Sequence, residues 1–600
     1  MSNKKQKSLI TLSFHDIPFV IFFCILIMKS ILFIYISYKE TPTFSQFFIT
    51  FLPYCGVILV LLSISLFVKK RIAKITYLFV INLVLSVLYI IHSLYFRYFD
   101  DFASVYNLRQ ISMLSSIIEI IIRMIGKEFF FIADLLLIPI LFPWLKKQDC
   151  LKIPLSWTKS FGFFLLLGLL FNTIPLSYNL FFCNHFKSVF ERKYLVWSMG
   201  IVTYQVFDIY SYLRTQVEKS LVTQADIELV QDSFKKTREK VSLNQLAGIG
   251  HRFNLFVIQV ESLQNFVIGV KWKGNEITPN LNRLAETGIY FNELFDQTWA
   301  GNTSDATFLA NCSLYPSRRG AASFLYAQNS FYCLPKILEE HGYTTATMHA
   351  YKGTYWNRIK FEKALGFKLQ FYKDKYLAEN LLGWGLSDKE FFSQSVERIN
   401  NLRSPFYAFL VTLTTHTPFD DVTVEIDNFP LGNVEGTMIG HYLRSMHYID
   451  SAIGEFLQRL SGYNLVSNSI IVIYGDHHAR FEENDLKLIG IADMNELRKI
   501  PLIINIPNRK LGYKMDIIGG LIDVAPTVSN ILSIDVSDNF FMGRDLLSCS
   551  DGLVIFRDGS YISKDNSLDG TYAQKQLMIS DLLLEKNLIS ILKKISNEKP

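Results

Sequence analysis

The sequence predicts a chain in two parts, a helical membrane domain of five spans followed by an α/β domain with a mostly parallel sheet between helices. With 600 residues, the chain is too long for one compact core. Half of its residues are hydrophobic, and they are concentrated towards the N-terminus. From about residue 251, apolar runs alternate with amphipathic stretches, as expected of an α/β domain.

Five apolar stretches are long enough to cross a bilayer core, which takes roughly 20 helical residues. They cover residues 17–37, 47–68, 76–97, 128–145 and 161–182. A cleaved signal peptide does not explain the first stretch, because four more follow it. A shorter segment, 114–126, is apolar on one side and is interpreted as an interfacial helix. Were it a sixth span, the rest of the chain would lie on the other side of the membrane.

Lysine-rich segments set the orientation of these spans. "KKQK" precedes the first span, "KKRIAK" follows the second, and "KKQDCLK" lies between the fourth and fifth. The positive-inside rule places the N-terminus in the cytoplasm. Everything after residue 182 is then extracytoplasmic, or periplasmic in a cell with two membranes. Because basic residues also cluster beside membrane spans, the net charge of +6 does not indicate a nucleic-acid partner.

Residues 1–182 therefore form the predicted membrane domain, and residues 251–600 the α/β domain. Between them, 183–250 has helical periodicity and is interpreted as a connector at the membrane surface, with a flexible linker as the alternative. The predicted strands are nearly continuous in apolar residues, which is typical of strands buried on both faces. They are "NLFVIQVE", "TTATMHA", "FYAFLVTLT", "NSIIVIYGD" and "IPLIINIP", with helices at 278–287, 332–341, 441–460 and 516–532.

The seven cysteines have no C-x-x-C spacing, so neither a zinc ribbon nor a disulfide framework is expected. Cys312 with Cys333 is the one pair that we consider for a bond.

Acidic and histidine residues follow two of the predicted strands. Glu261 ends "NLFVIQVE", and Asp476 with His477 ends "NSIIVIYGDHH". In open α/β sheets, sites form at the carboxyl ends of the strands. A single acidic residue there is often only a turn or a helix cap. Two such strand ends together favour a divalent-metal site of carboxylates and imidazole.

The stretch "GNTSDATFLAN" offers a hydroxyl to the same site. Gly301 and Asn302 form a turn, and Thr303 and Ser304 follow where a helix should begin. A hydroxyl at a helix N-terminus meets a positive dipole, and a metal would make it a nucleophile. Local sequence alone favours the alternative, a helix cap.

Other residues could contact a phosphate. "MHAYKGTYWNR" brings His349, Trp356 and Arg358 together, and His416 follows a predicted strand. Arginine can hold a phosphate through two parallel hydrogen bonds. The alternatives are a solvated arginine, a half-buried tryptophan and a structural histidine. His341, before a glycine, is interpreted as structural.

Taken in order, "VESLQNF", "GNTSDATFLANCSLYP", "YWNR", "THTPF" and "YGDHH" resemble the lipoteichoic acid synthase family of the alkaline phosphatase/sulfatase superfamily. The later "DVAPTVSNIL", "MGRDLL" and "FRDGSYI" also fit. The resemblance implies five N-terminal spans and an extracytoplasmic sulfatase-like catalytic domain. It also implies one divalent metal, Mn²⁺ or Mg²⁺ with Zn²⁺ possible, on Glu261, Thr303, Asp476 and His477.

The resemblance further implies roles for single residues. Thr303 matches the nucleophile, and His349, Trp356, Arg358 and His416 match residues around the substrate phosphate and headgroup. Arg358 and His416 are expected to take part in catalysis as well, by stabilising charge and assisting an oxygen.

The implied activity is metal-dependent transfer of phosphoglycerol from phosphatidylglycerol to a polymer or glycan through a phospho-threonine. The alternatives are a phosphoethanolamine transferase, a hydrolase that releases the same headgroup, and a scaffold without activity. All positions that match the metal ligands are filled, which argues against a scaffold.

Two departures narrow this interpretation. Sulfatases carry a Cys or Ser, converted to formylglycine, at the first place of C/S-x-P-S-R. This chain has "LYPSR" with Leu314 there, and leucine cannot be converted. Many family members also have lysine where this chain has Asn302, which bears on the identity of the donor or acceptor.

Overall fold

The computed structural model describes most of the chain in fifteen ranges. These are residues 17–37, 44–68, 70–99, 102–105, 107–108, 125–137, 143, 157–182, 192–218, 222–238, 246–481, 483–491, 493–549, 552–564 and 570–597. Contacts divide the chain into two units, one holding the described residues up to Gln216 and the other those from Val217 onward.

The first unit is helical. Its helices are α1 (Ile17–Ser37), α2 (Phe44–Ile64), α3 (Arg71–Phe99), α4 (Trp157–Phe182) and α5 (Arg192–Glu218). Within the described ranges, three segments are long and apolar enough to cross a membrane, namely Ile17–Ser37, Phe47–Phe67 and Arg71–Arg97. The fifth predicted span is helical, with a shorter apolar part at Phe161–Pro175. The fourth predicted span is described only in part, at 128–137 and 143, where a 3₁₀ turn covers Lys127–Phe131. All but the last two residues of the interfacial helix expected at 114–126 lie outside the described residues.

A buried ion pair lies inside this unit. The Lys29 Nζ is 2.6 Å from the Asp134 Oδ1. It also donates to the Asn82 Oδ1 at 2.8 Å and to the Ser86 Oγ at 2.6 Å. A charge in an apolar helical bundle is stable only when it is paired and hydrogen-bonded. The pair therefore ties α1 and α3 to the segment that carries Asp134.

The second unit is built on a nine-stranded sheet. Its strands are β1 (Asn254–Val260), β2 (Ile289–Phe295), β3 (Thr344–His349), β4 (Leu369–Phe371), β5 (Phe406–Val411), β6 (Ser469–Gly475), β7 (Lys499–Asn505), β8 (Tyr513–Met515) and β9 (Gly519–Gly520). The order is β8-β2-β7-β6-β1-β5-β3-β4, and β9 pairs with β2. Only β7 runs antiparallel to its neighbours among these strands. The mostly parallel sheet predicted from the sequence is confirmed.

Helices surround this sheet. They are α6 (Gln224–Arg238), α7 (Pro279–Thr287), α8 (Thr303–Cys312), α9 (Ala322–Leu325), α10 (Leu334–Glu340), α11 (Arg358–Leu365), α12 (Asp388–Asn400), α13 (Met438–Gly462), α14 (Glu483–Ile489), α15 (Met494–Leu497), α16 (Val524–Ile531), α17 (Gly570–Glu585) and α18 (Leu588–Asn597). Every residue of β1, β5 and β6 is buried. Because alternate side chains of a strand point to opposite faces, both faces of the sheet centre are covered.

The structure differs from the sequence-based predictions in two places. The sequence does not predict β2, because "IYFNELF" mixes polar and apolar residues and so does not resemble a strand that is buried on both faces. The helix expected at 516–532 starts only at Val524, because Gly519 and Gly520 pair with β2 and a 3₁₀ turn follows.

Cys312 and Cys333 form a disulfide, with their Cα atoms 4.2 Å apart. Cys312 is the last residue of α8, and Cys333 immediately precedes α10. The bond therefore joins the end of α8 to the start of α10, and the short helix α9 lies between them along the chain.

Removing this disulfide should destabilise the second unit. The crosslink spans 21 residues. Closing a loop of that size lowers the conformational entropy of the unfolded chain, which stabilises the folded state by roughly 3 kcal/mol. We expect Cys312→Ala/Cys333→Ala to lower the melting temperature of the full chain in detergent, and reductant to do the same to the wild type. Cys549→Ala, which removes a cysteine outside the disulfide, is the control and should keep the melting temperature of the wild type. Equal melting temperatures with and without reductant would contradict the expectation.

Candidate active site

Polar side chains gather at the carboxyl ends of β1, β3, β5 and β6. β1 pairs in parallel with both β5 and β6, so that Val260 lies beside Gly475. Glu261 follows the first of these residues and Asp476 the second. The two acidic residues thus leave neighbouring strands at the same edge of the sheet.

Glu261, Asp476 and His477 form one tight cluster. The Glu261 Oε1 lies 3.2 Å from the His477 Nε2, and the Asp476 Oδ2 lies 3.6 Å from the same nitrogen. One ligand atom from each of the three residues lies within 4.8 Å of the others. Within the described part of the chain, no other group of three or more His, Cys, Asp or Glu side chains meets this criterion.

The Thr303 hydroxyl joins this cluster. Its Oγ1 donates to the Glu261 Oε2 at 3.1 Å. Thr303 is the first residue of α8, and Asn302 before it is the N-cap, with a φ of 38° and no capping hydrogen bond from its side chain. The capping role that local sequence favours is therefore wrong for Thr303. Ser304 is directed elsewhere, since its hydroxyl donates to the Gly301 carbonyl at 2.9 Å.

The charges of the cluster oppose one another. Burial raises the pKa of Asp476 well above its ordinary value, and the negative charge of Glu261 adds to the rise. For Glu261, burial acts upward, but the charge and hydrogen bond of His477 outweigh it and lower its pKa to about 2. Burial disfavours a charged His477, yet Asp476 and Glu261 raise its pKa to about 10. The imidazolium thus supplies the positive charge that two buried carboxylates require.

A divalent cation fits the same place. Two carboxylates, one imidazole and one hydroxyl are ligands that such ions accept. The buried Asp476 Oδ2 accepts no hydrogen bond from any residue that the structure describes, which leaves an oxygen for a metal. Asp476 is held in place by the backbone N–H groups of Ser262 and His477, which donate to its Oδ1 at 2.8 and 2.7 Å.

Asp296 pairs with His478, the residue that follows the cluster, and the sequence did not reveal it. Its Oδ2 lies 2.6 Å from the His478 Nδ1. Burial would raise the pKa of Asp296, but His478 holds it below the ordinary range. Asp296 follows β2 just as Glu261 follows β1, so the recognition of β2 as a strand would have identified it.

Asp305 is a second residue that the sequence did not single out. Its Oδ2 accepts hydrogen bonds from the backbone N–H groups of Trp299 and Gly301, at 3.1 and 2.8 Å. Its Oδ1 is buried, and no described residue donates to it. Burial raises the pKa of Asp305 to about 7. This carboxyl group fixes the turn that leads into Thr303.

The four residues predicted to contact substrate come from three segments of the chain: the end of β3, the start of α11 and the loop after β5. His349 ends β3, where its Nδ1 lies 2.9 Å from the Val411 carbonyl oxygen. Burial lowers the pKa of His349 to about 3, and the positive charge of Arg358 acts in the same direction. His349 is therefore a neutral imidazole, whose Nδ1–H donates to the carbonyl.

Arg358 and Trp356 are buried, with 2% and 5% of their surface exposed. The alternatives of a solvated arginine and a half-buried tryptophan are therefore wrong. The Arg358 Nη1 lies 2.6 Å from the Glu362 Oε1. The other carboxylate oxygen of Glu362 accepts hydrogen bonds from Thr347 and Tyr372. This network fixes the guanidinium at the start of α11.

His416 follows β5 and lies against an aromatic ring that the sequence analysis did not single out. Its ring centroid is 4.1 Å from that of Trp384. The charge of His416 also contributes to the lowered pKa of Glu261, which places it within electrostatic reach of the cluster.

The chain is similar to known protein families over most of its length. Residues 254–534 match the sulfatase family model, and residues 1–221 match the model of the lipoteichoic acid synthase N-terminal domain. The sequence is 31% identical over 544 residues to the lipoteichoic acid synthase of Staphylococcus aureus (strain USA300), covering 86% of this chain and 81% of that protein.

Two further relatives come from Bacillus subtilis (strain 168). Lipoteichoic acid synthase 1 is 29% identical over 610 residues, and the match covers 92% of each chain. Lipoteichoic acid synthase 2 is 35% identical over 398 residues, which cover 64% of this chain and 61% of that protein. Among solved structures, the lipoteichoic acid synthase LtaP from Listeria monocytogenes superposes with a TM-score of 0.53 at 25% identity. That match covers 62% of this chain and 98% of LtaP.

Metal binding should depend on Asp476. We expect Mn²⁺ or Mg²⁺ to raise the melting temperature of chelator-treated protein, because a ligand at a hundredfold excess over its Kd stabilises the folded state by about 2.7 kcal/mol. Asp476→Asn should lose most of this shift, since it removes a charged ligand. Asp374→Asn, at an exposed carboxylate, is the control. A full metal-induced shift in Asp476→Asn would contradict the site.

Asp305 should make stability fall as the pH rises. Its pKa is about 7 in the folded protein against 3.8 for an ordinary aspartate. The contribution of Asp305 to the free energy of unfolding is complete below the pKa that this side chain has in the unfolded chain. It is lost as the pH rises through about 7. The stability of wild type relative to Asp305→Asn should therefore decline from about pH 4 to about pH 7 in denaturant titrations. Parallel curves for the two proteins would refute the assignment.

Proposed function

Because the chain belongs to the lipoteichoic acid synthase family, we propose that it transfers phosphoglycerol from phosphatidylglycerol to an extracytoplasmic polymer or glycan. The observation that carries this proposal is the Thr303 hydroxyl, hydrogen-bonded to Glu261 within the cluster of Asp476 and His477. A hydroxyl at a helix N-terminus beside metal-ligand side chains is equipped for nucleophilic attack.

In the first step, the Thr303 Oγ attacks the phosphorus of the lipid headgroup. The new phosphorus–oxygen bond forms as the bond to the diacylglycerol oxygen breaks. The hydroxyl proton passes to solvent, and His416 protonates the departing diacylglycerol oxygen. A glycerophosphoryl-threonine remains.

In the second step, a hydroxyl of the acceptor attacks the same phosphorus. His416, now neutral, takes the proton of that hydroxyl. The Thr303 oxygen leaves and takes up a proton from solvent. The product is the acceptor extended by one phosphoglycerol.

Glu261, Thr303, Asp476 and His477 would hold the metal, Mn²⁺ or Mg²⁺ with Zn²⁺ possible. When bound, the metal lowers the pKa of the hydroxyl and offsets the charge of the phosphoryl oxygens.

The remaining site residues position the headgroup. Arg358 stabilises the phosphoryl oxygens, and its ion pair with Glu362 keeps the guanidinium oriented before substrate arrives. The free Nε2 of neutral His349 accepts a hydrogen bond from a headgroup hydroxyl. Trp356 packs against the glycerol carbons.

The membrane unit keeps the enzyme beside its donor, which never leaves the bilayer. We propose the full topology of five spans, with the N-terminus in the cytoplasm and the catalytic unit outside. The three long apolar helices and the match to the family's N-terminal model support this arrangement.

Thr303 should be required for turnover. We expect Thr303→Ala to lower diacylglycerol release from labelled phosphatidylglycerol by at least about a thousandfold, as removal of a covalent nucleophile does. Thr303→Ser should retain part of the activity, because it keeps the hydroxyl. Mass spectrometry should detect the glycerophosphoryl group on residue 303.

Ser304→Ala is the matched control, since the Ser304 hydroxyl faces the Gly301 carbonyl and not the cluster. Full turnover in Thr303→Ala would refute the nucleophile. Release of free glycerol phosphate alone, whatever acceptor is supplied, would instead identify a hydrolase. Faster turnover of phosphatidylethanolamine than of phosphatidylglycerol would identify a phosphoethanolamine transferase.

A further inference from the structure

We propose that one side of the active-site mouth is a docking surface for an anionic lipid bilayer. It consists of lysines and apolar side chains at the carboxyl ends of β3 and β4, namely Lys352, Ile359, Lys373, Lys375, Leu377 and Leu381. We call these six residues the lysine–leucine rim. The proposal rests on the proposed function, because a donor that stays in the bilayer requires the site to reach the bilayer surface. It adds the residues that make this contact.

Positive charge is concentrated in the segment that carries the rim. Residues 350–382 hold six lysines and one arginine against three acidic residues, which gives a net charge of +4, compared with +6 for the whole chain. The arginine, Arg358, is buried and paired with one of the acidic residues, Glu362. Only Asp374 and Glu379 therefore oppose the six lysines. A surface of this charge attracts anionic lipid headgroups.

Two lysines of the rim come from separate segments and lie together. Lys352 follows β3 and Lys373 follows β4, and these strands pair in parallel. The Lys373 N–H donates to the Tyr351 carbonyl at 3.1 Å. The Nζ atoms of Lys352 and Lys373 lie 5.8 and 5.9 Å from the centroid of the buried Tyr351 ring. Both ammonium groups therefore belong to one surface, at the sheet edge that carries the active site.

Ile359 adds an apolar side chain to this surface. It is the second residue of α11 and is 45% exposed. A Cβ at Gly353 would lie 2.7 Å from the Ile359 Cγ1 and 2.5 Å from the Tyr372 Cδ2. Gly353 and Tyr372 each adjoin a lysine of the rim along the chain. The start of α11 is thus packed between the two segments that carry these lysines.

Leu377 and Leu381 are the most exposed apolar residues of the rim, at 64% and 57%. The backbone of Leu377 is fixed, because its N–H donates to the Gln394 Oε1 at 2.9 Å and its carbonyl accepts from the Gln394 Nε2 at 3.2 Å. Leu381 pairs with Leu386 in a short hairpin of strands Leu381–Leu382 and Gly385–Leu386. Apolar side chains held in water next to lysines are typical of surfaces that lie in the membrane interface.

The same hairpin connects the rim to the reacting groups. The centroid of its Trp384 ring lies 4.1 Å from that of His416, the residue assigned to proton transfer. A Cβ at Gly385 would lie 2.7 Å from the Ala350 carbonyl oxygen, directly after β3. A bilayer in contact with Leu381 would therefore present its headgroups at the mouth of the site.

The other side of the mouth has the opposite charge. Residues 412–437, which follow β5, hold five acidic residues and no lysine or arginine. In the sheet, β4 and β5 lie on opposite sides of β3. The two charged regions meet at the hairpin, where a Cβ at Gly383 would lie 2.2 Å from the Asp421 Oδ2. An anionic surface attracts the rim and repels the acidic loop, which gives the docked unit one orientation.

The first test detects lipid contact without relying on activity. The full chain is placed in nanodiscs of phosphatidylcholine with phosphatidylglycerol and phosphatidylserine, and a photoreactive phenylalanine analogue replaces Leu377. Mass spectrometry should find lipid adducts, and high salt should reduce them because it screens the lysines. Tyr513, which is 44% exposed in β8 at the far edge of the sheet from β4, is the control position and should form few adducts.

The second test separates docking from chemistry. Each lysine near an anionic surface contributes roughly fivefold to binding. We therefore expect Lys373→Ala/Lys375→Ala to lower turnover of phosphatidylglycerol in vesicles about tenfold, with a similar loss for Leu377→Ser/Leu381→Ser. Turnover of a short-chain, water-soluble phosphatidylglycerol should stay at the level of wild type. Lys510→Ala/Lys514→Ala, which removes two exposed lysines in and beside β8, should leave both activities unchanged.

Three results would overturn the proposal. One is an equal yield of lipid adducts at Leu377 and Tyr513. Another is an equal loss of turnover on the vesicle and the water-soluble donor in the rim variants, which would assign these residues to the chemistry. The third is adducts to protein instead of lipid, which would assign the rim to a protein partner. If the wild type turns over neither donor but Leu377 still forms salt-sensitive lipid adducts, the proposed function fails and the rim stands.

Discussion

Repulsion between two buried carboxylates is the constraint on which the rest of the site depends. Glu261 and Asp476 leave neighbouring parallel strands at one sheet edge, and both are almost fully buried. They cannot both remain ionised there without a cation. His477 meets this need with a proton, and a metal would meet it with two positive charges. Thr303 and His416 lie around the same point, since the Thr303 hydroxyl donates to Glu261 and the charge of His416 helps to lower the pKa of Glu261.

The sequence predicted the parts of the fold that depend on local pattern. Continuous apolar runs identified β1, β3, β5, β6 and β7, and acidic residues at their ends identified the cluster. It could not identify Asp296, because β2 mixes polar and apolar residues and did not resemble a strand that is buried on both faces. Nor could it separate the capping and nucleophilic roles of Thr303, since the deciding contact, with Glu261, is made across 42 positions of the chain.

Burial and pairing of single side chains were likewise beyond local reasoning. The sequence left a solvated Arg358 open as the alternative to a phosphate contact, but Glu362 lies one helical turn later and pairs with Arg358 in the interior. Trp384 had no periodic context, because the strands on either side of it contain two residues each. In both cases the information lies in contacts between segments whose approach is set by the sheet. The site is therefore best understood as a set of loops whose ends are fixed by strands.

The disulfide has a consequence for where this protein becomes complete. Cys312 is the last residue of the helix that begins with Thr303, and disulfides such as Cys312–Cys333 form and persist in oxidising compartments. The helix that begins with Thr303 would thus gain its covalent anchor after the chain has left the reducing cytoplasm. With the catalytic unit outside the membrane, as proposed above, translocation would come before oxidation, and the start of this helix would be fully secured only in the cell envelope.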